Sequence, residues 1–206
     1  MVLNPNWILG LLAGLLLIVA ASWSKTSSST PRDLIDWVED PAHGLHVDKT
    51  LGPYRFSVQA KPPAYIIARE SPPEALTSER VAERRRQLGE EMDYYNFTIA
   101  PAQSSRSVLQ TAAQQEADYY ALIDYFSYAA QDDFYLLHGA DTSRCLLYQF
   151  VRSYELAPQL EFTMAFERQP QSDPTFVYDD RVLGVGTVKT RLRSADLLQL
   201  PTLKTP

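Results

Sequence analysis

The sequence predicts an α+β domain, mainly an antiparallel sheet with two or three helices, preceded by an N-terminal transmembrane helix. Three observations carry this. No charged side chain occurs before position 25, so all 19 Lys+Arg and 25 Asp+Glu, and the net charge of −6, belong to the rest of the 206 residues. Beyond Phe134 the chain reads as short strands separated by turn residues. Earlier helical patterns interrupt the strands without a regular βαβ alternation, which favours α+β over a doubly wound fold. The division is therefore 1–24 as membrane anchor or signal peptide, 25–30 as polar tether and 31–206 as a single domain.

From Trp7 to Trp23 the run WILGLLAGLLLIVAASW is uncharged. As a helix it would span roughly 25 Å at ~1.5 Å per residue, with an indole at each end where an interfacial aromatic belt belongs. Gly10 and Gly14 share one face of such a helix, the spacing of a close helix–helix contact. The alternative is a cleaved signal peptide, with Val19-Ala20-Ala21 as the cleavage region, although the first six residues carry no Lys or Arg. The lipid bilayer is thus an expected partner through residues 7–23, with the domain outside the cytoplasm.

Thr30-Pro31-Arg32-Asp33 supplies an N-cap, a proline at N1 and an acid at N3, and Leu34, Ile35, Trp37 and Val38 form the apolar stripe of a helix ended by Pro41 and Gly44. Tyr54, Phe56, Val58 and Ala60 alternate with polar residues as a half-buried strand does, until Pro62-Pro63 breaks the run. Tyr65 to Ala68 reads as a second strand. Pro73 to Glu91 reads as a solvated helix, in which the Arg84-Arg85-Arg86 run is offset by surrounding glutamates. Tyr95, Phe97 and Ile99 mark another strand, which contains the formal glycosylation sequon Asn96-Phe97-Thr98. A second helix is expected from Ser104 to about Tyr120, and Leu122 to Ala130 is either its continuation or a strand. Strands follow at Phe134–His138, Arg144–Arg152, Leu160–Glu167, Thr175–Asp179 and Thr187–Arg193.

Composition excludes several function classes. With 45% hydrophobic and 21% charged residues the domain can bury a core. A pI near 5.1 argues against nucleic acid as a partner, because phosphate neutralisation needs clustered cations. The single cysteine, Cys145, forbids an intrachain disulfide. It lies beside Leu146 and Leu147 in an expected strand, a setting that suits a core thiol and not a nucleophile. Gly184-Val185-Gly186 lacks the remainder of a nucleotide-binding fingerprint and reads as a turn.

Metal chemistry is the one enzymatic idea with enough ligand types: His43, His46, His138 and Asp141 would have to converge. Their spacing does not demand it, so no cofactor or metal is expected. Asp132-Asp133 and Asp179-Asp180 each place their side chains on opposite sides of an element, so neither pair alone meets at one substrate atom. The pairs Tyr94-Tyr95, Tyr119-Tyr120 and Phe134-Tyr135 bring rings to the surface, where they suit protein or glycan contacts.

The segment Asp36-Trp37-Val38-Glu39-Asp40-Pro41-Ala42-His43-Gly44-Leu45, followed by the strand at Tyr54 and by Pro62-Pro63-Ala64-Tyr65, resembles a group of uncharacterised bacterial envelope proteins. The similarity continues through Leu137–Cys145 and Val182–Gly186. The resemblance implies an N-terminal anchor or lipoprotein-like signal before one α+β domain; here Ser22 stands where a lipidated cysteine would be. It implies a place in the envelope and no activity. The sequence-level expectation is a membrane-tethered, non-catalytic, extracytoplasmic binding or envelope-assembly protein with a possible protein partner in the envelope. A tethered metal-dependent hydrolase and a glycan-binding module are the alternatives.

Overall fold

A computed structural model describes residues 28–152, 157–169, 173–193, 197 and 199–205. Residues 1–27, with Trp7, Gly10, Gly14 and Trp23, lie outside the described residues. Strand β1 (Ser28–Ser29) enters the domain, pairs in parallel with β10 (Thr202–Leu203) and leads into helix α1 (Pro31–Glu39). The expected capping box is present: the Thr30 hydroxyl accepts from the Asp33 N–H, and the Asp33 carboxylate accepts from the Thr30 N–H.

The principal sheet comprises β2 (His46–Leu51), β3 (Tyr54–Ala60), β4 (Met92–Pro101), β5 (Phe134–His138), β6 (Asp141–Val151), β7 (Leu160–Glu167), β8 (Thr175–Asp179) and β9 (Thr187–Arg191). Their spatial order is β2-β3-β4-β7-β6-β5-β8-β9, and every neighbouring pair is antiparallel. Strand β6 pairs with β5 through its first residues and with β7 from Cys145 onward, with a register shift between Cys145 and Leu147. Such a bulge bends a strand and sharpens its twist.

The sheet curls nearly into a barrel. Rings on strands far apart in the spatial order meet across its interior: Phe56 on β3 lies 6.4 Å from Tyr178 on β8, and Phe97 on β4 lies 5.3 Å from Phe176 on β8. The terminal strands also approach one another. Lys49 Nζ on β2 donates to the Lys189 carbonyl on β9 at 3.4 Å, and a Cβ placed on Gly52 would sit 3.9 Å from Val185 Cγ1.

Side-chain parity explains the closure. Tyr54, Phe56, Val58 and Ala60 of β3, Tyr95, Phe97 and Ile99 of β4, and Leu160, Phe162, Met164 and Phe166 of β7 are all buried at every second position. Burying each large side chain contributes about 1.5–3 kcal/mol, so a curled sheet that covers all of these strands from one side is strongly favoured over an open one.

The α+β description with two or three helices behind a transmembrane helix is therefore corrected. The fold is a mostly antiparallel, eight-stranded, nearly barrel-shaped sheet, accompanied among the described residues by five short α-helices. None of the described helices is long and apolar enough to cross a membrane.

Several elements differ from expectation. Tyr65 to Ala68 belongs to helix α2 (Pro63–Glu70), in which Pro63 occupies the first turn and Ala64 to Ala68 are buried without a break. The expected helix over 73–91 is α3 (Ser78–Leu88), preceded by a 3-10 turn at Pro73–Ala75. The expected helix from Ser104 is two pieces, α4 (Val108–Ala112) and α5 (Glu116–Asp124), each with its own capping box. Helix α5 widens into a π-helical turn at Tyr125–Ala129, so Leu122 to Ala130 continues the helix.

Burial has an electrostatic consequence. Tyr65, Tyr95, Tyr125, Tyr148 and Tyr178 are all pushed well above the usual phenol range, primarily because burial penalises the phenolate. A raised native pKa contributes stability that is complete below the unfolded value of about 10 and is lost as pH rises toward the native value. An alkaline titration is expected to show exposed tyrosines ionising first and the buried set only together with loss of near-ultraviolet circular dichroism. Smooth ionisation of all twelve with the fold intact would contradict the buried assignment.

Candidate functional site

A polar cluster lies where β8 leaves the sheet. Asp133 is 2% exposed and accepts a hydrogen bond from the Tyr125 hydroxyl at 2.7 Å. Arg181 pairs with its other oxygen at 2.5 Å. The Tyr125 and Tyr178 hydroxyls interact with each other, and Tyr178 donates to Asp180 at 3.0 Å. Asp180 also accepts from the backbone N–H groups of Val182 at 3.0 Å, Leu183 at 2.8 Å and Val185 at 2.8 Å.

One member of each acidic pair is thus brought together through two tyrosines, a meeting that neither pair shows alone. Asp179 instead accepts from the Thr187 hydroxyl at 2.7 Å. Asp180 accepts from four donors and Asp133 from two, so this constellation organises the 180–186 connection.

The candidate metal ligands His43, His46, His138 and Asp141 each have their own partners or register position. His43 Nδ1 lies 2.8 Å from the Trp37 carbonyl, and its ring stacks on Trp37 with centroids 4.1 Å apart. His46 Nε2 lies 3.2 Å from Asp48. His138 and Asp141 face each other across the β5–β6 hairpin, whose turn uses Gly139 at φ 67°. Among the described residues no group of three or more His, Cys, Asp or Glu side chains is placed to hold a metal ion. His46 and Asp48 instead line a groove of about 560 Å³ together with Asp173, Arg191 and Arg193.

Cys145 is a core thiol. Burial pushes it up to about 12, and its Sγ lies 3.0 Å from the Leu147 carbonyl. The Asn96 side chain is equally committed: its amide donates to Glu161 at 3.1 Å, and its oxygen accepts from Lys61 at 3.1 Å and from the Thr163 hydroxyl at 3.1 Å. The sequon therefore sits mid-strand with its amide engaged. In the arginine run, Arg84 makes a two-pronged contact with Glu70 at 2.8 and 3.1 Å, and Arg86 pairs with Glu83. These pairs offset two of the three charges.

A second cavity, of about 330 Å³, lies between α4, α5 and the β6–β7 end of the sheet. Leu109, Ile123, Phe150, Pro158 and Leu160 supply apolar walls; Ser107, Arg152 and Gln159 supply polar groups. Tyr119 and Tyr120 stand at its rim with centroids 5.6 Å apart and planes at 87°. The other two aromatic pairs each contain a buried ring, Tyr95 or Phe134. None of the three pairs forms the coplanar platform expected for stacking on a sugar.

This cavity combines residues from elements that are distant in sequence. The aromatic doublet was visible in the sequence, whereas its apposition to Phe150 and Leu160 joins elements far apart in the chain and could not be read from spacing.

No known family matches the chain by its family description, and no curated protein matches it. Among solved structures it is similar to a novel protein of unknown function from Burkholderia pseudomallei K96243, at 10% identity over 84% of this chain and 94% of that one, with a TM-score of 0.40. Neither fold nor function is carried over at that level.

Proposed function

We propose that this is a non-catalytic binding protein, attached to a bilayer through the uncharged stretch 7–23 with its domain outside the cytoplasm, and that its ligand occupies the cavity between α4, α5 and β6. The cavity carries the reading. Its volume falls in the range of small-molecule sites, and it joins apolar walls to a few convergent polar groups, the usual composition of such sites. The chemistry-bearing groups elsewhere support it, because Asp133, Asp180 and Cys145 are engaged by donors, acceptors or packing within the fold. The resemblance of residues 36–45 to envelope proteins supports the location.

The test uses an apolar fluorescent sulfonate, 1-anilinonaphthalene-8-sulfonate, titrated into the full-length protein. Saturable binding is expected, with loss of the signal in Ile123→Trp, whose larger side chain fills the cavity. Equal binding by this variant, with its circular dichroism unchanged, overturns the cavity as the site. Attachment is read separately: the full chain is expected in the membrane fraction and a chain lacking 7–23 in the soluble one.

A further inference from the structure

We infer that the seam between β2 and β9 is a docking site for an extended acidic peptide of a partner protein, which adds to β9 as a further strand. The seam is a wedge. The two terminal strands run antiparallel, and their contacts follow one register: Gly52 beside Val185, then Lys49 beside Lys189, then His46 and Asp48 across the groove from Arg191 and Arg193. At the first point Val185 lies so near Gly52 that a Cβ placed there would be within van der Waals range, at 3.9 Å. At the second only a lysine reaches across. At the third the edges part around about 560 Å³ of open groove.

The exposed edge of β9 can accept a strand. Leu192 N–H donates to the Pro174 carbonyl at 2.9 Å, so even-numbered residues of this segment turn their backbone groups toward β8. Lys189 and Arg191 therefore turn theirs toward the seam, as the Lys49 bond to the Lys189 carbonyl also shows. No strand pairs with that edge among the described residues.

Charge selects the occupant. Val188, Thr190 and Leu192 are buried, which leaves Lys189, Arg191 and Arg193 exposed at every second position on the outer face. This is a cationic stripe on a chain of net charge −6. Arg191 contacts Asp173 at 3.1 Å, which positions its guanidinium on that face and offsets part of its charge. An added strand sets alternate side chains directly opposite these cations, where opposite charges attract and like charges repel. A second copy pairing through the same edge would set cation against cation, so the partner is an acidic segment.

Lys49 acts as the guard. Its opposite residue on β3 is Phe56, so it lies on the core-facing side of an edge strand, a placement that discourages indiscriminate pairing. The incoming strand displaces it, supplying a backbone N–H to the Lys189 carbonyl in its place.

The experiment titrates a labelled ten-residue peptide, glutamate alternating with threonine and valine, into full-length protein in detergent micelles and reads fluorescence anisotropy. The acidic peptide is expected to bind at least about tenfold more tightly than the same peptide with lysine for glutamate. N-methylation of alternate backbone amides, tested on the unaltered protein, and Arg191→Glu are each expected to weaken binding by about the same factor. Ile123→Trp is expected to leave it unchanged, which separates this seam from the cavity. Equal affinity for acidic and basic peptides overturns the inference. So does equal affinity for the N-methylated peptide, which would reduce the contact to surface charge alone.

Discussion

Phe97→Ala is expected to lower the unfolding free energy by about 3–5 kcal/mol, the range for removing a fully buried phenylalanine. Phe97 is 0% exposed and occupies the middle of the interior. Its ring meets Phe134 and Phe176 at 5.3 Å, Tyr178 at 5.5 Å, and Phe56 and Phe162 at 6.1 Å, on four different strands. A cavity there cannot be closed by one side chain shifting, because the five neighbours are held on four separate strands. Against a typical total of about 5–15 kcal/mol, the variant forfeits a large part of its stability. Urea denaturation provides the measurement, with Tyr128→Ala, at an 83% exposed position, as the control. A loss no larger than the control's would contradict the central placement of this ring.

Asp180→Ala is expected to cost about 3 kcal/mol, since hydrogen bonds to charged groups contribute roughly 1.5–3 kcal/mol and truncation leaves donors without an acceptor. Three backbone N–H groups and the Tyr178 hydroxyl converge on this one carboxylate. The loss is local in its first effect. Amides of Val182, Leu183 and Val185 are expected to exchange with solvent faster in the variant, while those of β4 and β7 keep their relative protection. Asn retains one acceptor and should recover part of the stability. Unchanged exchange at all three amides would show that the carboxylate does not organise the connection.

Much of the sheet was legible because alternation and turn residues report strands directly. Phe134–His138, Leu160–Glu167 and Thr175–Asp179 have the expected bounds. Strand β2 escaped notice for a physical reason: Lys49 sits at the parity of Val47 and Leu51 and spoils the apolar alternation, which is the mark of a guarded edge. Pro62-Pro63 reads equally well as the end of a strand and as the first turn of a helix, and burial of α2 decides between them.

The polar sites were less legible. Asp133 and Asp180 are recognisable as turn acids, but their linkage through Tyr125 and Tyr178 exists only once β5 and β8 are neighbours. The histidines illustrate the converse: chemically suitable residues belong to no group of three or more placed to hold a metal among the described residues, with His43 on Trp37 and His138 in a hairpin.

The parallel pairing of Ser28 and Ser29 with Thr202 and Leu203, extended by the Lys204 N–H to the Ser29 carbonyl at 2.9 Å, has a mechanical meaning. Force entering along the chain from its N-terminal side loads this short clamp before it reaches α1 or the eight-stranded sheet. The clamp, two residue pairs and one further hydrogen bond, is the first contact to be loaded.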